Sequence, residues 1–247
     1  EKNDVSGSSV QKNIERDSSD ISLDSKKEPE KISKTYTSEK NIGIFYGSST
    51  GNSEAICDII QEELSDSVVD LFNVSDTDPE KVMAYNHIII SCPTWYEGEL
   101  QEDWIEFLPK ISALDLKGKV IVMFGMGDQV GYADNFLDAL GIIAADLIKA
   151  GAVIKGEWST DGYEFSKSVG LTPDGKHFYG LGLDEENQAN LHNSRLDKWF
   201  EMLVDIFNLS VEKIEGADIE DSSELAEEES VKDEGPSDVD HKDIVSE

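Results

Sequence analysis

Residues 41–54 read NIGIFYGSSTGNSE, and this stretch decides the fold. Its first six residues, Asn41–Tyr46, form a short apolar run that predicts a buried β-strand. The loop that follows is rich in glycine and hydroxyl residues, and it leads directly into an apolar pattern of helical period at Ser53–Leu64. A buried strand joined to a helix in this way is typical of an alternating α/β fold.

The same alternation continues along the chain. Further strands are predicted at Val68–Phe72, His87–Cys92, Lys119–Phe124 and Ala152–Glu157. Further helices are predicted at Gln101–Leu108, Asn135–Ala150 and Gln188–Phe207, with a weaker turn near Pro79–Tyr85. Continuous apolar strands that alternate with helices indicate a parallel sheet buried on both faces. We therefore predict an α/β protein with a doubly wound five-stranded parallel sheet of order 2-1-3-4-5, which binds ligands at the carboxyl ends of its strands.

Charge divides the 247-residue chain into three parts. Residues 1–40 carry 8 basic and 9 acidic side chains and few large apolar ones, whereas residues 208–247 carry 15 acidic and 3 basic side chains. Neither segment offers enough apolar area to offset the entropy of ordering, so we predict a disordered N-terminal extension and a disordered acidic C-terminal tail. The folded domain is predicted at 41–207.

The formal net charge of −32 excludes several classes of function. Nucleic-acid binding and docking on an anionic membrane both require clustered basic residues. No apolar run reaches the ~18 residues of a spanning helix, so no membrane insertion is expected. The two cysteines form no CxxC pair and the four histidines share no ligand spacing, so no metal site is predicted. We expect a soluble protein of a reducing compartment, either the cytoplasm or the plastid stroma.

The loop after the first strand, Gly47–Glu54, is suited to an anion. Backbone N–H groups and hydroxyl oxygens converge there on the start of a helix. No Lys follows Gly51, so the loop is not a Walker A motif, and the GxGxxG spacing is also absent. Neutral donors suit a single monophosphate better than a metal-bound triphosphate. The alternative is an ordinary strand–helix turn capped by Ser53.

Aromatic residues follow the third and fourth strands. Trp95 and Tyr96 lie in the first of these loops, and Tyr132 lies in the second, among three glycines. An aromatic side chain in a loop at the carboxyl edge is well placed to stack on a planar ligand, although Trp95 folded back onto the domain is the alternative. Together with the anion loop, these loops predict a site for a phosphorylated planar ring.

These loops carry a specific resemblance. The stretches IFYGSSTGNSE (Ile44–Glu54), PTWYEGELQEDW (Pro93–Trp104) and GMGDQVGYADNF (Gly125–Phe136) resemble the three flavin-binding loops of flavodoxins. The similarity continues through WSTDGY (Trp158–Tyr163), FYGLGLDEEN (Phe178–Asn187) and the final helix, so it covers essentially all of 41–207. An insertion between Trp158 and His177, which splits the fifth strand, resembles the long-chain flavodoxins.

The resemblance implies a flavodoxin-like fold with non-covalently bound FMN. The phosphate would be held by the loop after the first strand, and Trp95 and Tyr132 would cover the two faces of the isoalloxazine ring. Asp128 and its backbone would reach the pyrimidine edge, and Thr94 the ribityl chain or phosphate. The full set of implied FMN-binding residues is Ser48, Ser49, Thr50, Gly51, Asn52, Ser53, Pro93, Thr94, Trp95, Tyr96, Glu97, Gly98, Gly125, Gly127, Asp128, Tyr132, Asn135 and Phe136.

In flavodoxins the peptide that corresponds to Tyr96–Glu97 lies opposite flavin N5 and turns over on reduction. Its carbonyl then accepts the proton on N5 and stabilises the neutral semiquinone. Gly98 gives the loop the freedom for this turn. Carboxylates in these loops disfavour the anionic hydroquinone, and each ~1.4 kcal/mol of repulsion lowers a one-electron potential by ~60 mV.

The resemblance therefore implies a low-potential one-electron carrier that shuttles between semiquinone and hydroquinone, and not an enzyme with its own substrate. Its implied partners are redox proteins with basic docking patches, such as a ferredoxin–NADP reductase-like flavoprotein, photosystem I or an Fe–S enzyme. We expect a monomer. The alternative is an FMN-dependent NAD(P)H quinone reductase on the same fold. A response-regulator-like domain would need an acidic cluster after the first strand, where this chain has Gly47-Ser48.

Overall fold

The computed structural model of the chain describes residues 34–37, 42–65 and 68–213. Its strands are β1 (Lys34–Thr37), β2 (Ile42–Tyr46), β3 (Val69–Asn73), β4 (His87–Ser91), β5 (Thr94–Trp95), β6 (Glu99–Leu100), β7 (Val120–Met126), β8 (Val153–Lys155), β9 (Trp158–Ser159), β10 (His177–Phe178), β11 (Leu181–Leu183) and β12 (Ser210–Lys213). Its helices are α1 (Asn52–Leu64), α2 (Glu102–Ile111), α3 (Asp138–Lys149), α4 (Glu185–Gln188) and α5 (His192–Phe207). Two short 3-10 helices cover Pro79–Ala84 and Ala189–Leu191.

The central sheet is parallel and has the strand order β3-β2-β4-β7-β11, with β8 also paired to β7. When the predicted strands are numbered along the chain, this is the order 2-1-3-4-5. The predicted doubly wound topology is therefore confirmed. The carboxyl ends of β2, β4 and β7 lie side by side, so the loops that follow them meet at one edge.

The fifth position of the sheet is shared by two short strands. β8 pairs with the first half of β7, from Val120 to Val122, and β11 pairs with the second half, from Phe124 to Met126. The chain between them forms the insertion, in which β9 and β10 pair antiparallel. The predicted split is confirmed, but the first piece is shorter than predicted because Gly156 (φ +79°) turns the chain away after Lys155.

Both faces of the sheet are buried, as the continuous apolar strands predict. In β4 the alternate residues Ile88 and Ile90 belong to one hydrophobic cluster and Ile89 belongs to the other. α2 and α3 cover the first face, and α1 and α5 cover the second. No helix within the described ranges is long and apolar enough to cross a membrane.

Two helices begin later than predicted. α3 begins at Asp138 and not at Asn135, because Leu137 adopts a left-handed conformation (φ +59°) at the N-cap. The hydroxyl of Thr94 supplies the cap from another loop by accepting a hydrogen bond of 3.2 Å from Ala139 N. The predicted helix from Gln188 is interrupted by the second 3-10 helix, and α5 begins at His192.

The terminal strands lie inside both of the segments that were predicted to be disordered. β1 and β12 pair antiparallel, from Lys34 opposite Lys213 to Thr37 opposite Ser210. The prediction of disorder is therefore wrong for these residues, because backbone pairing orders a segment that has few large apolar side chains. The remainder of each predicted segment lies outside the described residues.

Candidate functional site

The three loops at the carboxyl edge surround a cavity of about 270 Å³. Twelve of the eighteen residues implied by the sequence resemblance line this cavity: Thr50, Asn52, Ser53, Pro93, Thr94, Trp95, Tyr96, Gly127, Asp128, Tyr132, Asn135 and Phe136. The hydroxyl-rich loop and the aromatic loops thus face one another across a single space. Trp95 is half-buried and lines this space, which disagrees with the alternative of a Trp folded back onto the domain.

The other six implied residues lie outside the cavity lining. Ser48 Oγ accepts a hydrogen bond from Gly51 N (3.0 Å), and Ser49 Oγ accepts one from Gln101 Nε2 (3.2 Å), so both serines shape the first loop from within. Glu97 is exposed at the tip of the second loop. Gly98 is buried behind that tip, and Gly125 lies within β7.

The start of α1 has free capacity for an anion. Its N-cap is Gly51 (φ +88°), which makes no side-chain cap, so the first amides of this 13-residue helix lack the usual partner. Ser53 is 1% exposed, and its hydroxyl has no hydrogen-bond partner among the described residues. A turn capped by Ser53 was the alternative prediction for this loop, and it is wrong because the hydroxyl does not cap the helix.

A neighbouring tyrosine holds the acidic side chain of the first turn of α1. Tyr46 OH donates a hydrogen bond of 3.2 Å to Glu54 Oε1. Burial, followed by the charge and hydrogen bond of Glu54, raises the pKa of Tyr46 to about 12. The phenol therefore remains protonated at neutral pH and fixes the Glu54 carboxylate at the end of β2.

The second loop is a tight turn with aromatic side chains on its surface. Gly98 N donates a hydrogen bond of 3.1 Å to Trp95 O, and Tyr96 between them has φ +44°. The Trp95 and Tyr96 rings lie 5.7 Å apart at 57°. The peptide between Tyr96 and Glu97 is therefore the central peptide of the turn, the one that can rotate while both ends stay in place.

The third loop is fixed by its own acidic residue. The carboxylate of Asp128 accepts hydrogen bonds from Val130 N (3.0 Å), Gly131 N (2.7 Å) and Asn187 Nδ2 (2.8 Å). Partial burial alone would raise the pKa of Asp128, but these hydrogen bonds lower it below its ordinary value. Since Oδ1 is already bound by the loop, the main task of this side chain is to shape the loop.

The insertion packs on the outer side of the third loop. Ser166 N and Lys167 N donate hydrogen bonds of 2.8 and 3.0 Å to Ala133 O. The ring of Phe136, which is 1% exposed, lies 5.6 Å from that of Tyr163 in the insertion. Phe136 therefore joins the cavity to the hydrophobic contact between the insertion and the domain.

Three lining residues were not implied by the sequence: Met126, Glu185 and Glu186. Met126 lies between Gly125 and Gly127, which the resemblance did imply, so the sequence analysis missed only that its side chain faces the cavity. Glu185 and Glu186 begin α4 just after β11. The general rule that ligands bind at the carboxyl ends of parallel strands could have identified them, because β11 supplies the second half of the fifth position.

The charge around the cavity is negative. The lining residues include Asp128, Glu185 and Glu186 but no Lys or Arg. Glu97, Glu99, Glu102 and Asp134, in the same loops or next to them, are exposed. An anion in this cavity must rely on neutral donors, because the charged side chains of the lining are all carboxylates. In the described part of the chain, no group of three or more His, Cys, Asp or Glu side chains is arranged to hold a metal ion.

Comparison with known proteins gives consistent matches over the described domain. The flavodoxin family profile matches residues 44–199. A flavodoxin of Nostoc sp. (strain PCC 7120) is 44% identical over 170 residues, which cover 69% of this chain and 99% of the relative. Flavodoxin 1 of Escherichia coli K12 is 42% identical over 167 residues, which cover 68% and 94% of the two chains. The crystal structure of Fusobacterium nucleatum flavodoxin bound to flavin mononucleotide superposes with a TM-score of 0.63 at 31% identity and covers 67% and 98%.

Proposed function

Because this chain belongs to the flavodoxin family, we propose that it carries single electrons on a non-covalently bound FMN in the cavity between the three loops. FMN supplies the electron chemistry, since its ring system takes up and releases electrons one at a time. The observation that carries the proposal is the arrangement of the cavity. An uncapped helix start with an unpartnered buried hydroxyl lies on one side, and aromatic side chains lie on the other.

We assign the phosphate of FMN to the loop before α1. Thr50, Asn52 and Ser53 line the cavity there, and the helix N-terminus favours a negative group. Ser48 and Gly51 support them through the hydrogen bond that closes the loop. These donors are all uncharged. They would bind a monophosphate, but they add no positive charge that could stabilise a negative charge on the ring.

We assign the ring system to the space between Trp95 and Tyr132. Tyr132 is 48% exposed and Trp95 is half-buried, and both would lose exposed area against a planar ligand. Gly127 and the backbone near Asp128 would bind the polar edge of the ring, because the Asp128 carboxylate is already held by the loop. Pro93, Thr94, Asn135 and Phe136 would close the site, with Thr94 retaining its hydroxyl proton as a donor.

The turn between Trp95 and Gly98 is suited to respond to reduction. Its central peptide, Tyr96–Glu97, would supply the carbonyl that accepts a proton carried by N5 of a bound FMN. Tyr96 (φ +44°) and Gly98 (φ +95°) both have positive φ, and the hydrogen bond from Gly98 N to Trp95 O fixes the ends of the turn, so its central peptide is the part that would rotate. Gly125 lies within β7 and not in the cavity lining, and because a Cβ there would meet Cys92 O (3.0 Å) and Leu140 (3.1 Å), its role would be to let α3 and the second loop pack closely on the strand.

The charge distribution supports a low reduction potential. A second electron would place negative charge on a ring surrounded by Glu97, Asp128, Glu185 and Glu186, with no basic side chain in the lining. The same acidic surface would attract redox proteins with basic docking patches and would make their association sensitive to salt. We propose a ferredoxin–NADP reductase-like flavoprotein or an Fe–S protein as partners of this kind.

The test is reduction of the purified chain loaded with FMN. Apoprotein is titrated with FMN by quenching of flavin fluorescence, and the complex is photoreduced in the absence of oxygen while its visible spectrum is recorded. We expect tight binding and a one-electron-reduced state that accumulates before the spectrum bleaches. Riboflavin, which lacks the phosphate, should bind more weakly.

The same experiment separates the quinone-reductase alternative. A hydride-transferring enzyme would pass directly to the two-electron-reduced form and would be reduced rapidly by NADPH with no reductase present. A carrier should be reduced slowly by NADPH alone and rapidly after a reductase is added. Absence of FMN binding would remove both functions.

A further inference from the structure

We infer that Asp138 is a positioning residue that ties the turn at Trp95–Gly98 and the side chain of Asn135 to the insertion. The insertion would thereby help to set the geometry of the flavin loops. This inference rests on the proposed function and goes beyond it, because it assigns a role in FMN binding to a segment that does not line the cavity.

Asp138 is a buried carboxylate with hydrogen bonds to two separate segments. It is the first residue of α3 and is 4% exposed. Its Oδ1 accepts a hydrogen bond of 2.6 Å from Val169 N in the insertion, and its Oδ2 accepts one of 3.1 Å from Asn135 Nδ2 at the cavity. Within the described residues no Lys or Arg forms an ion pair with it. The positive end of the α3 dipole favours its charge.

The carboxylate also lies directly against the turn of the second loop. A Cβ atom built on Gly98 would lie 2.5 Å from Asp138 Oδ2, closer than atoms of two side chains approach each other. The turn and the carboxylate are therefore in contact, and the absence of a side chain at Gly98 is what allows it. The conformation of Gly98 (φ +95°) independently favours glycine at this position.

The insertion meets α3 by close backbone contact. A Cβ on Gly141 would lie 2.0 Å from Val169 O, and a Cβ on Gly170 would lie 2.4 Å from Leu137 O. The side chain of Val169 is 60% exposed, so burial of this side chain does not hold the segment in place. The hydrogen bond from Val169 N to Asp138 is the polar contact that fixes this part of the insertion on the helix.

These contacts form one chain of interactions from the insertion to the cavity. Val169 N donates a hydrogen bond to one carboxylate oxygen of Asp138. The other oxygen accepts a hydrogen bond from Asn135 Nδ2 and lies against Gly98. A displacement of the insertion would move the carboxylate, and both flavin loops would lose the same support. Because the donors are neutral and the site is buried, removal of the carboxylate leaves Val169 N and Asn135 Nδ2 without their acceptor.

The first test replaces the carboxylate. In Asp138→Ala we expect the dissociation constant of FMN to rise about tenfold and the maximal one-electron-reduced fraction during photoreduction to fall. Asp138→Asn keeps an acceptor for Val169 N but presents a donor to Asn135, so its effect should lie between those of wild type and Asp138→Ala. The matched control is Asp146→Ala, which removes an aspartate about 12 Å further along α3, where it forms an exposed ion pair with Lys149.

The second test displaces the insertion and leaves Asp138 unchanged. Gly141→Ala improves the helix propensity of α3 but places a methyl group against Val169 O. Like Asp138→Ala, it should raise the dissociation constant of FMN. In the double variant Asp138→Ala/Gly141→Ala, the loss of FMN binding free energy should be smaller than the sum of the losses in the two single variants, since both substitutions act through one contact.

Two outcomes would overturn the inference. Asp138→Ala could lower the thermal stability of the apoprotein while leaving the FMN dissociation constant and the one-electron-reduced fraction unchanged, which would show a structural role only. Fully additive effects in the double variant would show that the insertion and Asp138 act independently. Failure of the wild-type chain to bind FMN would instead remove the proposed function itself, and the two failures are therefore distinguishable.

Discussion

Gln129 donates two hydrogen bonds to the same carboxylate oxygen of Asp184, one from its backbone N (3.1 Å) and one from its side-chain Nε2 (2.8 Å). Asp184 is fully buried at the end of β11, and its other oxygen accepts a hydrogen bond from Asn187 N (3.0 Å). This carboxylate therefore joins the loop after β7 to the start of α4, which are the two segments that supply Asp128 and Glu185 to the cavity.

Replacement of Asp184 should destabilise the domain. Asp184→Ala leaves two buried donors on Gln129, and the backbone N of the exposed Asn187, without their acceptor, so we expect the free energy of unfolding to fall by about 2–4 kcal/mol. The measurement is urea unfolding of the apoprotein. The exposed Asp161→Ala serves as the control and should change the free energy by less than about 0.5 kcal/mol. Equal midpoints for the two variants would contradict this role of Asp184.

Ser53→Ala should weaken the binding of FMN but not of riboflavin. The hydroxyl is buried without a partner among the described residues, so its removal costs the apoprotein little, whereas a bound phosphate would lose a hydrogen bond to a charged group. We expect about a tenfold or greater rise in the FMN dissociation constant and no change for riboflavin. Ser112→Ala, at an exposed hydroxyl on the end of α2, is the control. Equal losses for both ligands would place the phosphate elsewhere.

Trp95→Ala should weaken FMN binding and shift both one-electron potentials. Loss of an aromatic contact with the ring should raise the dissociation constant by about tenfold to a hundredfold. The potentials shift because the oxidised and reduced rings lose different amounts of binding energy. Ile105→Ala, at a residue 56% exposed on α2, should change neither quantity. Unchanged affinity and potentials in Trp95→Ala would remove the stacking assignment.

The stabilising effect of Asp128 should disappear in acid. Its folded-state pKa is lowered, so its contribution is fully present above the ordinary value of 3.8 and is lost as the pH falls through the lower folded value. The difference in unfolding free energy between wild type and Asp128→Ala should be constant from about pH 7 to 5 and should narrow below about pH 4. A difference that widened in acid would mean that the protonated form makes the stronger hydrogen bonds.

Much of the fold and of the site could be predicted from the sequence because both follow from local patterns. The runs Ile42–Tyr46 and Ile88–Ile90 have no polar residue that breaks the apolar pattern on either face, and only a sheet covered on both faces buries such strands. The strand order and the meeting of three loops at one edge followed from that topology together with the flavodoxin resemblance. Hydroxyl and aromatic residues in those loops then indicated the two sides of the cavity.

Other features depend on contacts between residues that are distant in sequence. The start of α3 was misplaced because its cap comes from Thr94, more than forty residues earlier. The contribution of Glu185 and Glu186 depends on the register of β11 with β7. The role of Asp138 could not be inferred from its neighbours in sequence either, since Gly98 lies far before it in the chain and Val169 lies 31 residues after it. No propensity or periodicity in a short window reports such contacts.

The ladder between β1 and β12 fixes where anything attached to this domain must start. Phe207, at the end of α5, stacks on His87 at the first residue of β4, with ring centroids 4.8 Å apart, so β12 follows from the amino edge of the sheet. The cavity lies at the opposite edge, about 17 Å away along a five-residue strand. A tether joined to β1 or β12 would therefore begin at the edge of the sheet opposite the cavity. Such a tether could raise the local concentration of the carrier near an acceptor without covering the cavity.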